Sequence, residues 1–156
     1  MIPDQAMATT IRQGKKEDLP AALELIHELA RYEKAPDEVI NTVEMMEKDG
    51  FGPRPIYDFI VAEEEGKIVG MSMYYYRYST WKGKKLHLED LIVTESRRGS
   101  GIGKLLFDRT VEIAKETDCK AMMWQVLDWN EPAIHFYKKY DAHFNGEWID
   151  CSLNFY

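Results

Sequence analysis

The stretch from Arg97 to Lys104, Arg-Arg-Gly-Ser-Gly-Ile-Gly-Lys, combines glycines at alternate positions with cationic side chains. It stands between an apolar segment, residues 88–93, and a helical pattern that begins near Ile102. Backbone N–H groups of such a turn and of a helix N-terminus can face an anion, and glycine lets the backbone approach that anion closely. Arg98 and Lys104 would add charge beside phosphate groups. The pattern therefore predicts a cradle for a pyrophosphate.

Two other phosphate-binding loops do not fit this stretch. A Walker A loop needs a glycine where Arg98 stands and a Ser or Thr where Leu105 stands. The dinucleotide-binding pattern G-x-G-x-x-G also fails, because Gly99, Gly101 and Gly103 are spaced by two throughout. A tight strand-to-helix turn that binds nothing stays open as an alternative on the glycines alone.

The elements that position this turn follow from hydrophobic periodicity and turn residues. The sequence predicts the order β, α, α, β, β, β, α, β, α, β, without internal repeats. Strands are expected over residues 8–13, 59–63, 67–77, 85–93, 122–127 and 148–155, and helices over residues 18–32, 42–48, 102–113 and 132–139. Glu64-Glu65-Gly66 predicts a tight turn between two antiparallel strands. The fold class is therefore α/β, a mixed, mostly antiparallel sheet with flanking helices.

Arg98, Gly101 and Gly103 form the pattern R-x-x-G-x-G, which resembles the coenzyme A pyrophosphate loop of the GNAT superfamily of N-acetyltransferases. The second family signature, an Asn followed by a helix that carries a Tyr, is present from Asn130 to Tyr137, and the predicted order of elements resembles the family's order. Further segments resemble the spermidine/spermine N1-acetyltransferase group, which includes a relative acting on thialysine: residues 28–34, 49–52, 88–90 and 129–132. The resemblance implies direct transfer of acetyl from acetyl-CoA to a primary amine of a small cationic substrate, a thialysine-like amino acid, diamine or polyamine.

The resemblance also implies where acetyl-CoA binds. A β-bulge within residues 88–93 would splay this strand from the next, and a main-chain N–H near Ile92 would face the thioester carbonyl. Asn130 would bond to the pantetheine amides. The implied acetyl-CoA contacts are Leu91, Ile92, Val93, Arg98, Gly99, Ser100, Gly101, Ile102, Gly103, Lys104, Asn130, Ala133 and Tyr137.

Two residues receive catalytic roles from the resemblance. Tyr137 matches the general acid, and a phenol of pKa about 10 can protonate a thiolate of pKa about 8.5 only within hydrogen-bond reach; the alternative is a core tyrosine on a helix face. Glu89 is the candidate for receiving the ammonium proton, directly or through water, with Asp90 beside it. Adjacent strand residues point to opposite faces, so both can share a cleft only where the strand is distorted. His87 matches no catalytic position of the family and is interpreted as structural.

The implied substrate contacts surround these carboxylates. Glu33, with Tyr32, would bind a distant ammonium group, unless it is a solvated charge at a helix end. Trp81 would flank the methylene chain by a cation–π contact, or else pack under the hairpin. Where the polyamine enzymes carry an acidic residue this chain has Ser79, which favours thialysine, lysine-like amino acids or short diamines over spermine. The full implied set is Tyr32, Glu33, Ser79, Trp81, Glu89, Asp90, Trp124 and Gln125.

Composition restricts the remaining possibilities. A chain of 156 residues suits one domain, with residues 1–7 expected to be a disordered start. A formal charge of −7 disfavours nucleic acid and anionic membranes as partners and favours a cationic small molecule. Cys119 and Cys151 read as ordinary thiols, and the scattered histidines give no metal-ligand spacing, so no metal is expected. The absence of a secretory pattern predicts a cytoplasmic protein, and the family resemblance implies a homodimer.

Two other functions remain open from the sequence. A protein or peptide N-acetyltransferase would share the same coenzyme loop but would need an open groove. A noncatalytic coenzyme A sensor would keep residues 98–103 without turnover. Tyr137 and Glu89 argue against the sensor, and the acidic residues Glu33, Glu89 and Asp90 suit a small polycation better than a peptide.

Overall fold

The structure is a computed structural model that describes residues 8–156. The disordered start predicted for residues 1–7 lies outside this range. The described chain forms two compact units, one ending at Trp124 and the other running from Gln125 to Tyr156. The prediction of a single domain stays a prediction. Among residues 8–156, no helix has the length and apolar character needed to cross a membrane.

The first unit is built on one five-stranded sheet with strands in the order of the chain. Its strands are β1 (Thr10–Gln13), β2 (Asp58–Glu64), β3 (Lys67–Ser79), β4 (Gly83–Val93) and β5 (Met122–Met123). Neighbours from β1 to β4 are antiparallel, whereas β4 and β5 are parallel. The predicted mixed, mostly antiparallel sheet is confirmed. The turn between β2 and β3 is also confirmed, because Glu65 and Gly66 both have positive φ, 49° and 77°.

Helices cover both faces of this sheet. Helices α1 (Leu19–Tyr32) and α2 (Val43–Phe51) lie on one face, where Leu19, Ala22 and Leu25 pack with Met46 and with sheet residues that include Phe59, Val61, Met71, Met73 and Ile92. Helix α3 (Ile102–Glu116) lies on the other face, where the Thr110 and Ser72 hydroxyls share a buried hydrogen bond of 2.7 Å. Since Ser72 alternates with Met71 and Met73 along β3, the two helical layers pack against opposite faces of the same strand.

The start of α1 differs from the expected cap. Asp18 is the N-cap residue of α1, a position where a carboxylate usually accepts an N–H of the first turn. Its carboxylate instead accepts hydrogen bonds from the Arg12 guanidinium at 2.7 and 3.0 Å and from the Lys15 N–H at 2.8 Å. A guanidinium offers a charged, two-pronged donor, and this pairing outcompetes the neutral N–H groups of the first helical turn. Thr42, by contrast, caps α2 by accepting the Met45 N–H.

The second unit contains one helix, α4 (Glu131–Lys138), among its described residues. Two sequence predictions are wrong in this part of the chain. The fifth strand was expected over residues 122–127 but covers only Met122–Met123, and no strand forms over residues 148–155. The apolar alternation is present there, yet a strand needs a neighbour to pair its backbone N–H and C=O groups. Residues 148–155 pair with no strand among the described residues, and Trp148 and Ile149 are 83% and 87% exposed.

Candidate active site

The glycine-rich turn joins β4 to α3 with a left-handed backbone. Gly99 and Gly101 have φ of 78° and 86°, and Gly101 is the N-cap of α3. A Cβ built at either glycine meets no atom within 4 Å, so the space above the turn is open. The first N–H groups of α3 have no partner within the helix and present a partial positive charge to this space. The turn can therefore receive an anionic group.

The cations of the turn differ in their partners. Arg97 donates to the buried Glu64 carboxylate at 2.9 and 3.1 Å, which anchors the turn to the end of β2. Arg98 donates through Nε to the Val93 carbonyl oxygen at 3.0 Å and lies over the Tyr32 ring, 5.2 Å from its centroid. Lys104 pairs with Asp108 one turn along α3. The structure thus brings together two of the predicted residues, Arg98 and Tyr32.

Glu28 was missed as a site residue, although it opens the segment 28–34 that carries part of the family resemblance. Its carboxylate accepts the Glu95 N–H at 2.7 Å and the Thr94 hydroxyl at 3.1 Å, and lies 3.6 Å from Arg98 Nη2. These contacts join the end of α1 to the start of the glycine turn. The only indication in the sequence was that Glu28 lies within the segment 28–34. Its partners are more than 60 residues away along the chain, so local sequence could not identify them.

Strand β4 is distorted beside the turn. Met73 pairs with Asp90 and Tyr74 pairs with Leu88, so Glu89 is the extra residue of a β-bulge. The β4–β5 ladder consists of two pairs, Leu86 with Met122 and His87 with Met123, and ends before the bulge. The bulge that the family resemblance implies is therefore present, and the described pairing of β4 with β5 stops before it. A bulge re-aims a side chain, which removes the objection that Glu89 and Asp90 must point to opposite faces.

The structure brings three predicted carboxylates into one cluster. Asp90 is partly buried, and its burial together with the negative charges of Glu89 and Glu33 raises the pKa of its carboxyl to about 7. Burial also raises the pKa of Glu33, which follows the last residue of α1. Glu89 is exposed. The negative charges of Glu89 and Glu33 disfavour ionisation of Asp90, and a bound cation would relieve that repulsion. The cluster of Glu33, Glu89 and Asp90 is called the acidic cluster below.

Several other predicted contacts lie elsewhere in the first unit. Ser79 ends β3, and its hydroxyl oxygen accepts the Lys82 N–H at 3.1 Å, so it stabilises the β3–β4 turn. Trp81, in the same turn, is 90% exposed, and the alternative that it packs under the hairpin is wrong. The Trp124 ring meets Phe107 of α3 edge-on, with centroids 5.2 Å apart. Among residues 8–156, the structure shows no hydrogen bond or ring contact that joins Ser79 or Trp81 to the acidic cluster.

The second unit holds the remaining predicted residues. Asn130 is the N-cap of α4, and its side-chain oxygen accepts the Ala133 N–H at 3.3 Å. Tyr137 is 8% exposed, and burial raises the pKa of its phenol to about 12. Gln125 donates to the Asp150 carboxylate at 3.1 and 3.3 Å. Asn130 thus has a local structural role, while Tyr137 keeps its proton at neutral pH.

Comparison with known proteins agrees with this geometry. The family model described as "Acetyltransferase (GNAT) family" matches residues 21–141. A Bos taurus thialysine N-epsilon-acetyltransferase is 41% identical over 140 residues, which are 85% of this chain and 82% of that protein. The Homo sapiens spermidine/spermine N(1)-acetyltransferase-like protein 1 is 39% identical over 134 residues, 81% of this chain and 19% of that protein. An aminoglycoside N-acetyltransferase solved in complex with CoA shares the fold, with a TM-score of 0.76 at 17% identity over 98% of this chain and 99% of that one.

Proposed function

Because this chain belongs to the acetyltransferase (GNAT) family and is an N-acetyltransferase, we propose that it transfers acetyl directly from acetyl-CoA to a primary amine of a small cationic substrate. The observation that carries this proposal is the acidic cluster beside the bulge of β4 and the glycine-rich turn. The cluster supplies a negative field for a cationic substrate, and the turn next to it suits a phosphate-bearing cosubstrate.

The residues of the turn fit the pyrophosphate of acetyl-CoA. Gly99 and Gly101 leave open space above two left-handed backbone positions, and α3 directs its first N–H groups there. Arg98 would add a guanidinium beside the phosphates. In the structure this guanidinium contacts the Val93 carbonyl oxygen, the Glu28 carboxylate and the Tyr32 ring. Leu91, Ile92 and Val93, on the side of β4 beyond its short ladder with β5, would supply backbone groups for the pantetheine. Acetyl-CoA contributes the activated acyl group.

Three groups of this chain would then serve the reaction. Glu89, exposed on the bulge, takes the ammonium proton directly or through water and leaves a neutral amine as the nucleophile. A main-chain N–H near Ile92 donates to the thioester oxygen as negative charge develops there. Tyr137, protonated at neutral pH because burial raises its pKa to about 12, would give its proton to the thiolate released as the carbon–sulfur bond breaks, and would regain a proton from the nitrogen as the amide forms.

For the substrate we favour thialysine, lysine-like amino acids and short diamines over spermine. A spermine bound at the acidic cluster keeps further ammonium groups that need counter-charges along the cleft. Ser79 occupies the position where a carboxylate would provide such a counter-charge. Without that carboxylate, the binding free energy of a long polyamine is less favourable by about 1 kcal/mol or less. The Ser79 oxygen already accepts the Lys82 N–H, but its hydroxyl proton can still be donated to a substrate carboxylate. The relative named for thialysine is in accord with this choice.

The experiment is a comparison of kcat/KM for thialysine, lysine, diaminopropane, spermidine and spermine at equal salt, with acetyl-CoA as donor. Release of free coenzyme A and the mass of the acetylated amine are measured together. We expect transfer to the first three to exceed transfer to spermine. A preference for spermine would contradict the Ser79 argument alone. Transfer only to a peptide, or acetyl-CoA binding without transfer, would overturn the proposed function.

A further inference from the structure

His87 is the buried titratable side chain next to the acidic cluster that the reaction described above does not use. It lies on β4, two residues before Glu89, and is 7% exposed. Its Nε2 atom is 3.3 Å from a Glu89 carboxylate oxygen. Its ring lies against Tyr75 of β3, with centroids 4.9 Å apart and planes 35° apart.

The second ring nitrogen determines which tautomer fits. His87 Nδ1 is the one buried side-chain nitrogen or oxygen atom without a hydrogen-bond partner in the part of the chain that the structure describes. If Nδ1 carried the proton, the Nε2 lone pair would face the Glu89 carboxylate and repel it. With the proton on Nε2, the ring donates toward Glu89 and leaves Nδ1 as a lone-pair acceptor. Neutral His87 therefore places its Nε2–H on the side of the Glu89 carboxylate, at an Nε2–O separation of 3.3 Å.

The surroundings hold the ring neutral and fixed. Burial and the positive charge of Arg77 lower the pKa of His87, and the nearby Glu89 charge opposes this shift. Contact with Tyr75 and register pairing with Met123 of β5 restrict how the ring can turn. Glu89, by contrast, has a side chain 55% exposed and sits on a bulge. A long, exposed carboxylate without a fixed neighbour would sample several rotamers.

An unpaired buried acceptor is unfavourable for folding, since a polar atom without a partner loses its hydration. A phenylalanine would fill a similar volume against Tyr75 without that cost. The unpartnered Nδ1 thus requires an explanation beyond packing, and the contact that phenylalanine could not make is the one with Glu89.

We propose that His87 is a positioning residue whose Nε2–H holds the Glu89 carboxylate in the orientation that binds the ammonium group and takes its proton. This inference rests on the role given to Glu89 in the proposed function. His87 touches neither the amine nor acetyl-CoA in this proposal. It acts by restricting the orientation of the Glu89 side chain, so replacing His87 should lower activity only in a protein that retains Glu89.

The test is a double-mutant cycle of His87→Phe and Glu89→Gln, assayed with thialysine and acetyl-CoA. His87→Phe should lower kcat/KM for the amine by about tenfold, as expected for losing one hydrogen bond to a charged group, with the acetyl-CoA KM unchanged. In the Glu89→Gln background the same change should alter kcat/KM by less than about twofold, because no basic carboxylate remains whose orientation could affect proton transfer. Equal losses in both backgrounds would overturn the proposal and make His87 structural.

Two smaller substitutions keep the test valid if the phenylalanine variant folds poorly. The amide nitrogen of His87→Gln reaches the region of Nε2, whereas that of His87→Asn reaches only as far as Nδ1. We expect the glutamine variant to retain kcat/KM within about threefold and the asparagine variant to lose about tenfold. Equal activity in the two would contradict the proposal. If Glu89→Gln itself retains full kcat/KM, the role of Glu89 in the proposed function fails instead, which separates the two conclusions.

Discussion

Tyr137 is a phenol whose proton is retained because it is buried. Burial raises its pKa to about 12, so it is present as an acid throughout the range in which an N-acetyltransferase works. A raised pKa makes the phenol a weaker acid, so proton transfer to a thiolate of pKa about 8.5 is unfavourable by itself. The transfer can still occur within hydrogen-bond reach, because formation of the stable amide product makes the overall reaction favourable.

Tyr137→Phe should therefore lower kcat by about 10² to 10⁴, the contribution of a positioned general acid, while acetyl-CoA binding stays nearly unchanged. Turnover is measured under saturating substrates, and coenzyme binding is measured by calorimetry. Tyr140→Phe, in the same unit, is the matched control and should keep turnover. Wild-type kcat in Tyr137→Phe would remove this residue from the mechanism.

Asp90 links the acidic cluster to the stability of the protein. Its pKa is about 7 in the folded chain because of burial and the charges of Glu89 and Glu33, against about 3.9 for an unfolded aspartate. Between these values the native state binds more protons than the unfolded state. The free energy of unfolding therefore falls as pH rises from about 4 to 7 and is level above that range.

Asp90→Asn removes this dependence. Relative to wild type, the variant should gain about 1 to 2 kcal/mol of unfolding free energy at pH 8 and little at pH 4.5, the gain being reduced from full linkage because the side chain is partly exposed. Urea denaturation at both pH values measures it, with Asp37→Asn, an exposed aspartate outside the cluster, as control. An equal effect at both pH values would contradict the raised pKa.

At the scale of elements, the glycine-rich turn before α3 and the β2–β3 hairpin turn each need a glycine with positive φ. Gly101 in the β4–α3 turn and Gly66 in the β2–β3 turn have φ of 86° and 77°, and a Cβ at either position meets nothing within 4 Å. An alanine at either position is disfavoured by backbone conformation alone. Alanine should therefore have the same effect on stability at both glycines, so that any additional effect at Gly101 can be attributed to coenzyme binding.

Gly101→Ala and Gly66→Ala should each lower the unfolding free energy by about 1 kcal/mol. Gly101→Ala alone should raise the acetyl-CoA KM severalfold, because the methyl group enters the space where the proposed pyrophosphate lies. Thermal unfolding and steady-state kinetics on both variants measure the two effects. A similar rise in acetyl-CoA KM in Gly66→Ala would show that the effect comes from general destabilisation.

At the scale of the whole molecule, residues 148–156 are strongly apolar and exposed. Trp148, Ile149, Leu153, Phe155 and Tyr156 are between 82% and 94% exposed. Their alternation is typical of a strand, but these residues pair with no strand among residues 8–156. An exposed apolar patch of this kind is typical of an association surface.

We therefore predict a homodimer in which this segment is covered. Light scattering at micromolar concentration should give twice the mass of the 18.2 kDa chain. Leu153→Asp should shift the protein toward monomer, because the segment then carries a charge in the interface. Asn154→Asp adds the same charge at the neighbouring residue without removing apolar surface, so it should perturb the dimer less. A wild-type monomer at that concentration would refute the prediction.

The sequence alone determined the parts of this protein that depend on neighbours close along the chain. The β2–β3 turn, the four helices and the glycine turn before α3 follow from turn residues, capping residues and apolar period, each of which acts over a few residues. Asp141, just after α4, adopts a left-handed conformation that an aspartate side chain tolerates, with φ of 55°. The family signature at Arg98, Gly101 and Gly103 is equally local.

Tertiary structure alone decided which side chains became partners. Arg97 and Arg98 are adjacent in sequence, yet Arg97 is committed to Glu64 while Arg98 lies against Tyr32 and Glu28. The raised pKa of Asp90 comes from burial and from the charges of Glu89 and Glu33, and Glu33 belongs to another element. The role proposed for His87 likewise depends on the position of Glu89 on the bulge. The missing strand at residues 148–155 has the same cause. Partner, burial and charge are properties of residues brought together from distant positions, and local periodicity carries no information about them.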